Sequence, residues 1–212
     1  MSEEIKSWYG LYEFRKKIRN KIPNFWKVKI VKKPLDILKP FLCKGVRVLD
    51  IGSGNRNLEK KLKLFCSEVL YKSMDIDRDR FHDYYSLDDI KEKFDVVLLF
   101  EVIEHLEFED AMNMLKKVKN ILCPGGKFIL TTPNVYHPNR YWEYSHKVAY
   151  RYDELAGFLM SLGFEIENVY RVYNAPLIQR FIRMYIMAPI HYYFSIDFAR
   201  SIVIVAKNRE EK

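Results

Sequence analysis

The sequence predicts an α/β fold with a mostly parallel sheet, because apolar strands alternate with helical segments along most of the chain. The first strand, residues 46–49, is apolar and leads into Asp50-Ile-Gly52-Ser53-Gly54. Glycines let the backbone turn tightly and approach a ligand closely, and strands that are buried on both faces form continuous apolar runs. This loop alone also fits an ordinary strand-to-helix connection, so the prediction depends on the residues C-terminal to it.

The segment after the loop predicts a nucleoside site. Asn57 is placed to cap a helix over 58–65, whose backbone N–H groups would then face the loop. A second strand, 68–75, ends at Asp75. An acid about 20 residues after a glycine loop holds the ribose hydroxyls in nucleotide-binding α/β folds. We expect Asp75 to do so here, with Ile76 lying against a flat base.

The central part of the chain predicts two more parallel strands with a helix between them. Residues 94–100 form an unbroken apolar run, which is typical of a central strand. An amphipathic helix over 109–122 comes next and stops at Pro124-Gly-Gly126. The next strand covers 127–132. A later helix is followed by a strand near 164–172, and the last strand covers 201–206.

Five segments, in this order and at these spacings, resemble the class I S-adenosylmethionine-dependent methyltransferases over residues 40–206. They are VLDIGSG, SMDID, FDVVLLFEVIEHL, LCPGGKFILTTPN and YDELAGFLMSLGFEIENVYRV. The resemblance implies a Rossmann-like fold: a seven-stranded, mostly parallel sheet with an antiparallel last strand and helices on both faces. It also implies S-adenosylmethionine as cofactor.

Carried over by position, the resemblance implies which residues bind the cofactor. They are Asp50, Gly52, Ser53, Gly54, Asp75, Ile76, Asp83, Phe100 and Glu101. Asp83 is the first choice for the adenine contact, with Asp88 and Asp89 as alternatives. The sequence departs from the family at Arg56, where a third glycine is usual, and this side chain is expected to crowd the loop. The stretch between Asp75 and Phe94 also leaves little room for a full helix.

Methyl transfer to a hydroxyl or amine needs alignment, a dry site and an acceptor for the proton. The candidate proton acceptors are His105, His137 and His146, with His146 slightly ahead of His105. Glu101, Glu104 and His105 have the spacing i, i+3 and i+4, which predicts that all three lie on one side of a helical turn after the strand 94–100, at the ligand-binding edge. Glu101 is therefore counted with His105 and His146 among the catalytic candidates.

The same region also fits a metal site. Glu101, Glu104, His105 and His146 resemble the ligand set of the small-RNA 3′-terminal 2′-O-methyltransferases, which implies Mg²⁺ or Mn²⁺ at these residues. The sequence Glu-Val-Ile-Glu-His-Leu also occurs in family members that methylate small molecules without a metal. Both interpretations are consistent with the sequence.

The net charge of +8 is concentrated near the N-terminus, in a basic and aromatic arm assigned to residues 1–39. Between Lys6 and Lys33 the only acid is Glu13. Basic residues with aromatics between them suit RNA, an anionic membrane surface or a phosphorylated substrate. A solvated amphipathic helix that caps the pocket is the ordinary alternative.

Residues 40–212 are assigned to the methyltransferase domain, with an apolar insertion at about 175–195. The insertion is apolar nearly all round, so it must be buried in the protein, in a partner or in a lipid interface. We expect a lid over the acceptor pocket; a homodimer contact and an interfacial anchor are the alternatives.

Three isolated cysteines, Cys43, Cys66 and Cys123, indicate neither a disulfide framework nor a zinc site. Neither a signal peptide nor a membrane-spanning run is predicted, so we expect a cytoplasmic protein, or one peripheral at a membrane surface. The expected function is methylation of an oxygen or nitrogen on a small or lipid-like, amphiphilic acceptor. The alternatives are a metal-assisted RNA ribose 2′-O-methyltransferase and a non-catalytic cofactor-binding or membrane-surface module.

Overall fold

The computed structural model describes residues 8–140 and 143–209, which form one seven-stranded sheet. The strands lie in the order β1-β6-β7-β5-β4-β2-β3, and only β7 runs antiparallel to its neighbours. The predicted fold class is therefore confirmed. The strands are β1 (Ile30–Val31), β2 (Arg47–Ile51), β3 (Leu70–Met74), β4 (Phe94–Phe100), β5 (Leu122–Pro133), β6 (Phe164–Val172) and β7 (Ser201–Asn208).

Helices cover both faces of the sheet. Side chains alternate between the faces of a strand, so Val97 and Leu99 of β4 belong to one apolar cluster and Val96 and Leu98 to the other. The helices are α1 (Trp8–Lys21), α2 (Leu35–Leu38), α3 (Asn57–Phe65), α4 (Phe108–Ile121), α5 (Tyr152–Ser161), α6 (Leu177–Phe181) and α7 (Ala188–Phe194), with a π-helical turn at Ile182–Ile186 between the last two.

Strand β1, which completes the seven-stranded sheet, lies in the segment that the sequence assigns to the N-terminal arm. β1 pairs in parallel with β6, with Ile30 opposite Arg171. The arm is therefore built into the sheet from residue 30 onward. The stretch from Asp75 to Phe94 holds only a 3₁₀ turn at Leu87–Asp89, as its short length predicts.

Helix α1 packs against α5 through a buried carboxylate. Asp153, whose side chain is fully buried, accepts hydrogen bonds from Arg15 at 2.8 Å, Arg19 at 2.6 Å and Arg151 at 3.0 Å. Burial opposes ionisation of Asp153, but the hydrogen bonds from these arginines outweigh it and hold the pKa of the carboxyl below its ordinary value. Two of the arm's basic residues are therefore used inside the domain. Lys6 lies outside the described residues.

The apolar insertion leaves the sheet after β6 and returns to it at β7, as the sequence predicts. Because β6 is parallel to β5, the insertion starts at the same edge of the sheet as the loops after β2, β3 and β4. In the described part of the chain, no helix has both the length and the apolar character needed to cross a bilayer.

The arginine cluster around Asp153 predicts a stability effect. Asp153→Asn keeps the shape but removes the charge that joins the two helices, so we expect a loss of about 2 kcal/mol. The expected loss is smaller than for a fully buried ion pair because the arginines are partly exposed. Chemical denaturation measures it. The matched control is Glu154→Gln, which removes only a partly exposed partner of Arg15. An equal effect of the two substitutions would contradict the assignment.

Candidate cofactor and acceptor site

Three strand ends form the cofactor side of the site. β2, β3 and β4 are parallel neighbours, so the loop after Ile51, the acid Asp75 and the acid Glu101 follow strand ends at one edge of the sheet. Ligands bind at this edge in open α/β sheets. The structure thus brings together the residues that the sequence predicts for the cofactor.

The glycine loop leaves space for a ligand at one position and is tightly packed at another. Gly52 has φ of 73°, and a Cβ there would lie 2.3 Å from a methyl carbon of Val102. Gly54 has φ of 51°, and apart from its chain neighbours no described residue has an atom within 4 Å of where its Cβ would stand. Gly52 is therefore required for packing, whereas the space beside Gly54 is open.

Arg56 takes the backbone conformation of the glycine that it replaces. Its φ is 57°, in the left-handed region that favours glycine. Its side chain lies between the rings of Tyr71 and Phe81, at 5.6 Å and 5.5 Å, and pairs with Glu59 at 3.1 Å. These contacts give no support to the expectation that Arg56 crowds the loop, because its side chain packs against the two rings and pairs with Glu59.

The predicted N-cap of the following helix is wrong by one residue. Helix α3 begins at Asn57 itself, and the residue in the cap position is Arg56, which makes no side-chain capping hydrogen bond. The polar contact comes instead from Asn55, whose Oδ1 accepts from the N–H of Asn57 at 3.2 Å. The left-handed turn at Arg56 shifts the helix start.

Asp75 is held in place by backbone N–H groups. Its carboxylate accepts from the N–H of Gly54 at 2.8 Å and from the N–H of Asp77 at 3.1 Å. Asp75, the predicted ribose-binding acid, is therefore joined directly to the glycine loop. The side chain of Ile76 beside it is 82% exposed, so its face is open to a planar base.

Asp50 lies behind the loop rather than in open space. It is buried, and its carboxylate accepts a hydrogen bond from the hydroxyl of Tyr71 at 2.7 Å. Burial raises the pKa of Asp50 from its ordinary value of 3.8 to about 6; the Tyr71 hydrogen bond opposes this shift and the charge of Asp75 adds to it.

The carboxylate of Asp83, predicted to contact adenine, has several partners within the protein. It accepts from the N–H of Ser73 at 2.9 Å and from its hydroxyl at 3.0 Å, and it pairs with Lys72 and Arg56. Burial opposes the shift, but these hydrogen bonds hold the pKa of Asp83 below its ordinary value. The adenine contact stays a prediction for Asp83. The alternative Asp88 pairs with Lys117 at 2.6 Å.

Sequence reasoning missed His82. This buried imidazole has Nδ1 3.1 Å from the hydroxyl of Ser53, so it joins the segment after Asp75 to the glycine loop. Its Nε2 has no hydrogen-bond partner among the described residues. A lone histidine in a polar stretch gives no sequence signal for such a contact, which depends on how the chain folds back over β3.

The end of β4 is strained at Glu101. Its φ is 54°, and its N–H donates to the carbonyl oxygen and the hydroxyl of Thr131. Strained backbone conformations of this kind cluster at active sites and ligand-binding regions. Desolvation by the surrounding protein raises the pKa of the Glu101 carboxyl above its ordinary value, although part of the residue is exposed to solvent.

Glu104 is fully buried, and neither of its carboxyl oxygens has a hydrogen-bond partner among the described residues. Burial raises the pKa of Glu104 to about 8, and the nearby carboxylate of Glu101 adds to the shift. An unpaired buried carboxyl is costly, so such groups mark sites where a proton, a cation or a ligand completes the structure.

His105 and His146 face one another beside Glu104, with ring centroids 4.8 Å apart. In each ring Nδ1 lies 3.3 Å from a backbone carbonyl oxygen, of Ser145 and Arg140 respectively. If Nδ1 carries the proton and donates to that carbonyl, the Nε2 lone pair of the neutral ring is left for a proton or a metal. In that tautomer, each imidazole presents Nε2 as its acceptor atom.

Three of the four predicted metal ligands come together. Ligand atoms of Glu104, His105 and His146 all lie within 4.8 Å of one another. Glu101 is not a member of this group. The structure therefore offers one carboxylate and two imidazoles, a donor set suited to a divalent transition metal.

A cleft of about 680 Å³ contains both imidazoles and reaches Phe100 and Glu101 at the end of β4. His137, the third candidate base, also lines it, but burial lowers the pKa of its imidazole and its Nδ1 accepts from the N–H of Asn139 at 3.1 Å. A second cleft of about 610 Å³ shares His137 and continues to the start of the insertion at Pro176.

The chain was compared with known proteins. A family model described as "Methyltransferase domain" matches residues 13–169, more than half of the chain. No curated protein matches. A methyltransferase of Archaeoglobus fulgidus, described as S-adenosylmethionine-dependent, has a similar structure, with a TM-score of 0.60 and 20% identity over 95% of this chain and 100% of that one.

Two further structures have the same fold. A methyltransferase of Bacillus halodurans gives a TM-score of 0.59 and 17% identity over 83% of this chain and 99% of its own. The N-methyltransferase NodS of Bradyrhizobium japonicum, in complex with S-adenosyl-L-homocysteine, gives a TM-score of 0.57 and 12% identity over 93% of this chain and 88% of its own. At these identities the similarity shows the fold alone.

Asp50 predicts a pH-dependent stability effect. Because its pKa is raised in the folded state, the free energy of unfolding falls as pH rises from about 4 to about 6 and stays lower above. Asp50→Asn has no buried charge that could form as pH rises. Its free energy of unfolding relative to that of the wild type is therefore expected to increase by up to about 3 kcal/mol from pH 4 to pH 8. Urea denaturation at the two pH values measures the gain.

The control for Asp50→Asn is Asp95→Asn, which should respond with the opposite sign. The hydrogen bond from Arg47 lowers the pKa of Asp95, so its stabilisation is present at neutral pH and is lost as pH falls. Asp95→Asn is therefore expected to be less stable than wild type at pH 8. If Asp50→Asn also loses stability relative to wild type as pH rises to 8, the Asp50 assignment is wrong.

Proposed function

Because the chain belongs to the class I S-adenosylmethionine-dependent methyltransferase family, we propose that it methylates an oxygen or nitrogen atom of a small or lipid-like acceptor. The observation that carries the acceptor chemistry is the pair of imidazoles in the cleft beside the end of β4. Both are oriented to accept a proton, which a hydroxyl or amine nucleophile must lose.

The residues at the cofactor side fit S-adenosylmethionine. The open space at Gly54 admits a ligand against the backbone, and Asp75 is a charged acceptor for two ribose hydroxyls. When bound, the cofactor supplies a methyl group that is already activated, so the protein needs no nucleophile of its own. Gly54 and Asp75 then have binding roles, with Ile76 against the base, while Gly52 keeps the loop packed against Val102.

His146 is the proposed proton acceptor. Its side chain is largely buried, and its Nε2 lies 3.6 Å from a carboxylate oxygen of Glu143. His105 holds the neighbouring position and orients the acceptor. Glu101, at the strained end of β4, lies between the cofactor side and this pair and shapes the passage between them.

A metal-assisted reaction is the second candidate, and the unpaired carboxyl of Glu104 favours it. A divalent ion held by Glu104, His105 and His146 would give this buried group a partner, and backbone carbonyls already orient both imidazoles as metal-bound histidines usually are. Such an ion would lower the pKa of a substrate hydroxyl. A ribose 2′-hydroxyl of RNA is the acceptor that this candidate implies.

The cofactor assignment predicts that Asp75→Asn lowers the affinity for S-adenosylhomocysteine about ten- to a hundredfold. A hydrogen bond to a charged group contributes about 1.5–3 kcal/mol. The substitution removes the charge, while the one remaining side-chain oxygen can take the place of Oδ2 and accept from the N–H of Gly54. Calorimetry measures the affinity. Asp77→Asn, two residues along, is the control and should change little; an equal loss in both variants would contradict a specific role for Asp75.

The catalytic assignment predicts that His146→Ala lowers kcat by about 10²–10⁴-fold, the usual contribution of a general base, with unchanged S-adenosylhomocysteine affinity. His137→Ala, in the same cleft, is the control and should retain activity. Turnover is followed as formation of S-adenosylhomocysteine with hydroxyl- and amine-bearing amphiphiles, with and without a chelator.

The chelator decides between the two candidates. Full activity in its presence supports the metal-free base. Loss of activity that Mn²⁺ restores, with Mn²⁺ binding in calorimetry that Glu104→Gln abolishes, would instead establish the metal-assisted reaction. Full activity of His146→Ala without a metal would rule out the base.

A further inference from the structure

The insertion presents its apolar side to solvent. From residue 177 to residue 186 the exposed apolar side chains recur at i, i+1, i+4, i+5, i+8 and i+9, which is one face of a helix. We call this face the apolar ridge; it consists of Leu177, Ile178, Phe181, Ile182, Tyr185 and Ile186. Four more large apolar side chains are exposed on α7: Ile190, Tyr192, Tyr193 and Phe194.

The opposite side of the insertion is fastened to the domain by polar and aromatic contacts. Arg183 donates to the hydroxyl of Tyr173 at 3.0 Å and lies 4.6 Å from the ring centroid of Phe198. His191 packs against the same ring at 4.4 Å. A guanidinium therefore faces inward while the apolar ridge faces outward, the reverse of an ordinary surface helix. An exposed apolar surface of this extent marks an interaction site.

A row of exposed lysines lies on the segment next to this surface. Trp26 and Ile30 line the same cavity, of about 230 Å³, as Met184 and Ala188 of the insertion, so the segment around β1 is its neighbour. That segment carries exposed Lys27, Lys29, Lys32 and Lys33. Neither residues 14–35 nor residues 174–196 contain an aspartate or glutamate.

We propose that the apolar ridge and the lysine row dock this protein on an anionic lipid bilayer. Apolar side chains enter the boundary between headgroups and acyl chains, tyrosines suit the interface, and lysines attract anionic headgroups. A second copy of the chain fits less well, because residues 174–196 contain no carboxylate that could pair with the lysine row of a partner copy. The short helices, with Pro176 and Pro189, lie in the plane of the bilayer.

Docking places the acceptor cleft at the lipid surface. The second cleft runs from His137, which also lines the cleft of the two imidazoles, to Pro176, Gln179 and Arg183 at the foot of the insertion. A lipid-like acceptor would therefore have a path from the bilayer to His146. This part of the inference deepens the proposed function and rests on it, whereas docking itself does not.

The test is flotation of the full chain with vesicles of phosphatidylcholine containing about 30% phosphatidylglycerol, compared with pure phosphatidylcholine, at low and high salt. We expect at least tenfold stronger binding to the anionic vesicles at low salt, weakening as salt rises. The double variant Leu177→Ser with Phe181→Ser should lose at least tenfold. The matched control, Leu64→Ser with Phe65→Ser, removes the same exposed side-chain types from α3 and should bind as wild type.

Two results would overturn the proposal. One is absence of vesicle binding at low salt, which together with binding of short RNA would assign the surface to RNA. The other is equal binding by the ridge variant and the wild type. A dimer in ultracentrifugation that the ridge variant dissolves, without vesicle binding, would assign the ridge to a second copy. S-adenosylhomocysteine affinity is measured in parallel, because its absence in the wild type would refute the proposed function and leave the docking result intact.

Discussion

The hydrogen bond from the N–H of Gly54 to the carboxylate of Asp75 is the contact on which the cofactor site depends. It joins the loop after β2 to the end of β3 and fixes both before any ligand arrives. The left-handed conformations at Gly52, Gly54 and Arg56 make it geometrically possible. A site that is set in advance spends less of its binding energy on ordering the protein.

Two buried carboxyl groups near this contact lower the free energy of unfolding when they are charged. Asp50 behind the loop and Glu104 beside the acceptor cleft are both buried, and burial raises the pKa of each. Asp153 has the opposite balance, because three arginines outweigh its burial. The two carboxyls near the site therefore oppose folding when they are charged, while the one between α1 and α5 supports it. Such a division is typical of proteins that give up stability where function needs it.

The sequence predicted the elements whose pattern is local. Residues 94–100 form an unbroken apolar run and become β4 with those bounds, and 164–172 become β6. β1 escaped prediction because a two-residue strand has no periodicity and exists only through pairing with β6. The start of α3 was misplaced because the left-handed turn at Arg56 cannot be seen in residue types.

At the site, sequence spacing identified Glu101, Glu104, His105 and His146 but not their geometry. The helical spacing assumed for the first three fails at Glu101, where the left-handed backbone precedes the turn, and only the other three group together. His82 and the direction of the apolar ridge depend on tertiary packing alone. For the insertion, composition showed an apolar helix, but only its contacts with Tyr173 and Phe198 show which face is outward.

The most direct test of the account is a crystal structure of the chain with S-adenosylhomocysteine. We predict that the ribose hydroxyls lie within hydrogen-bond distance of the Asp75 carboxylate, that the homocysteine part passes over Gly54, and that its sulfur faces the cleft of His105 and His146. A ligand bound at another edge of the sheet, or one that leaves Asp75 in contact only with Gly54 and Asp77, would contradict the account.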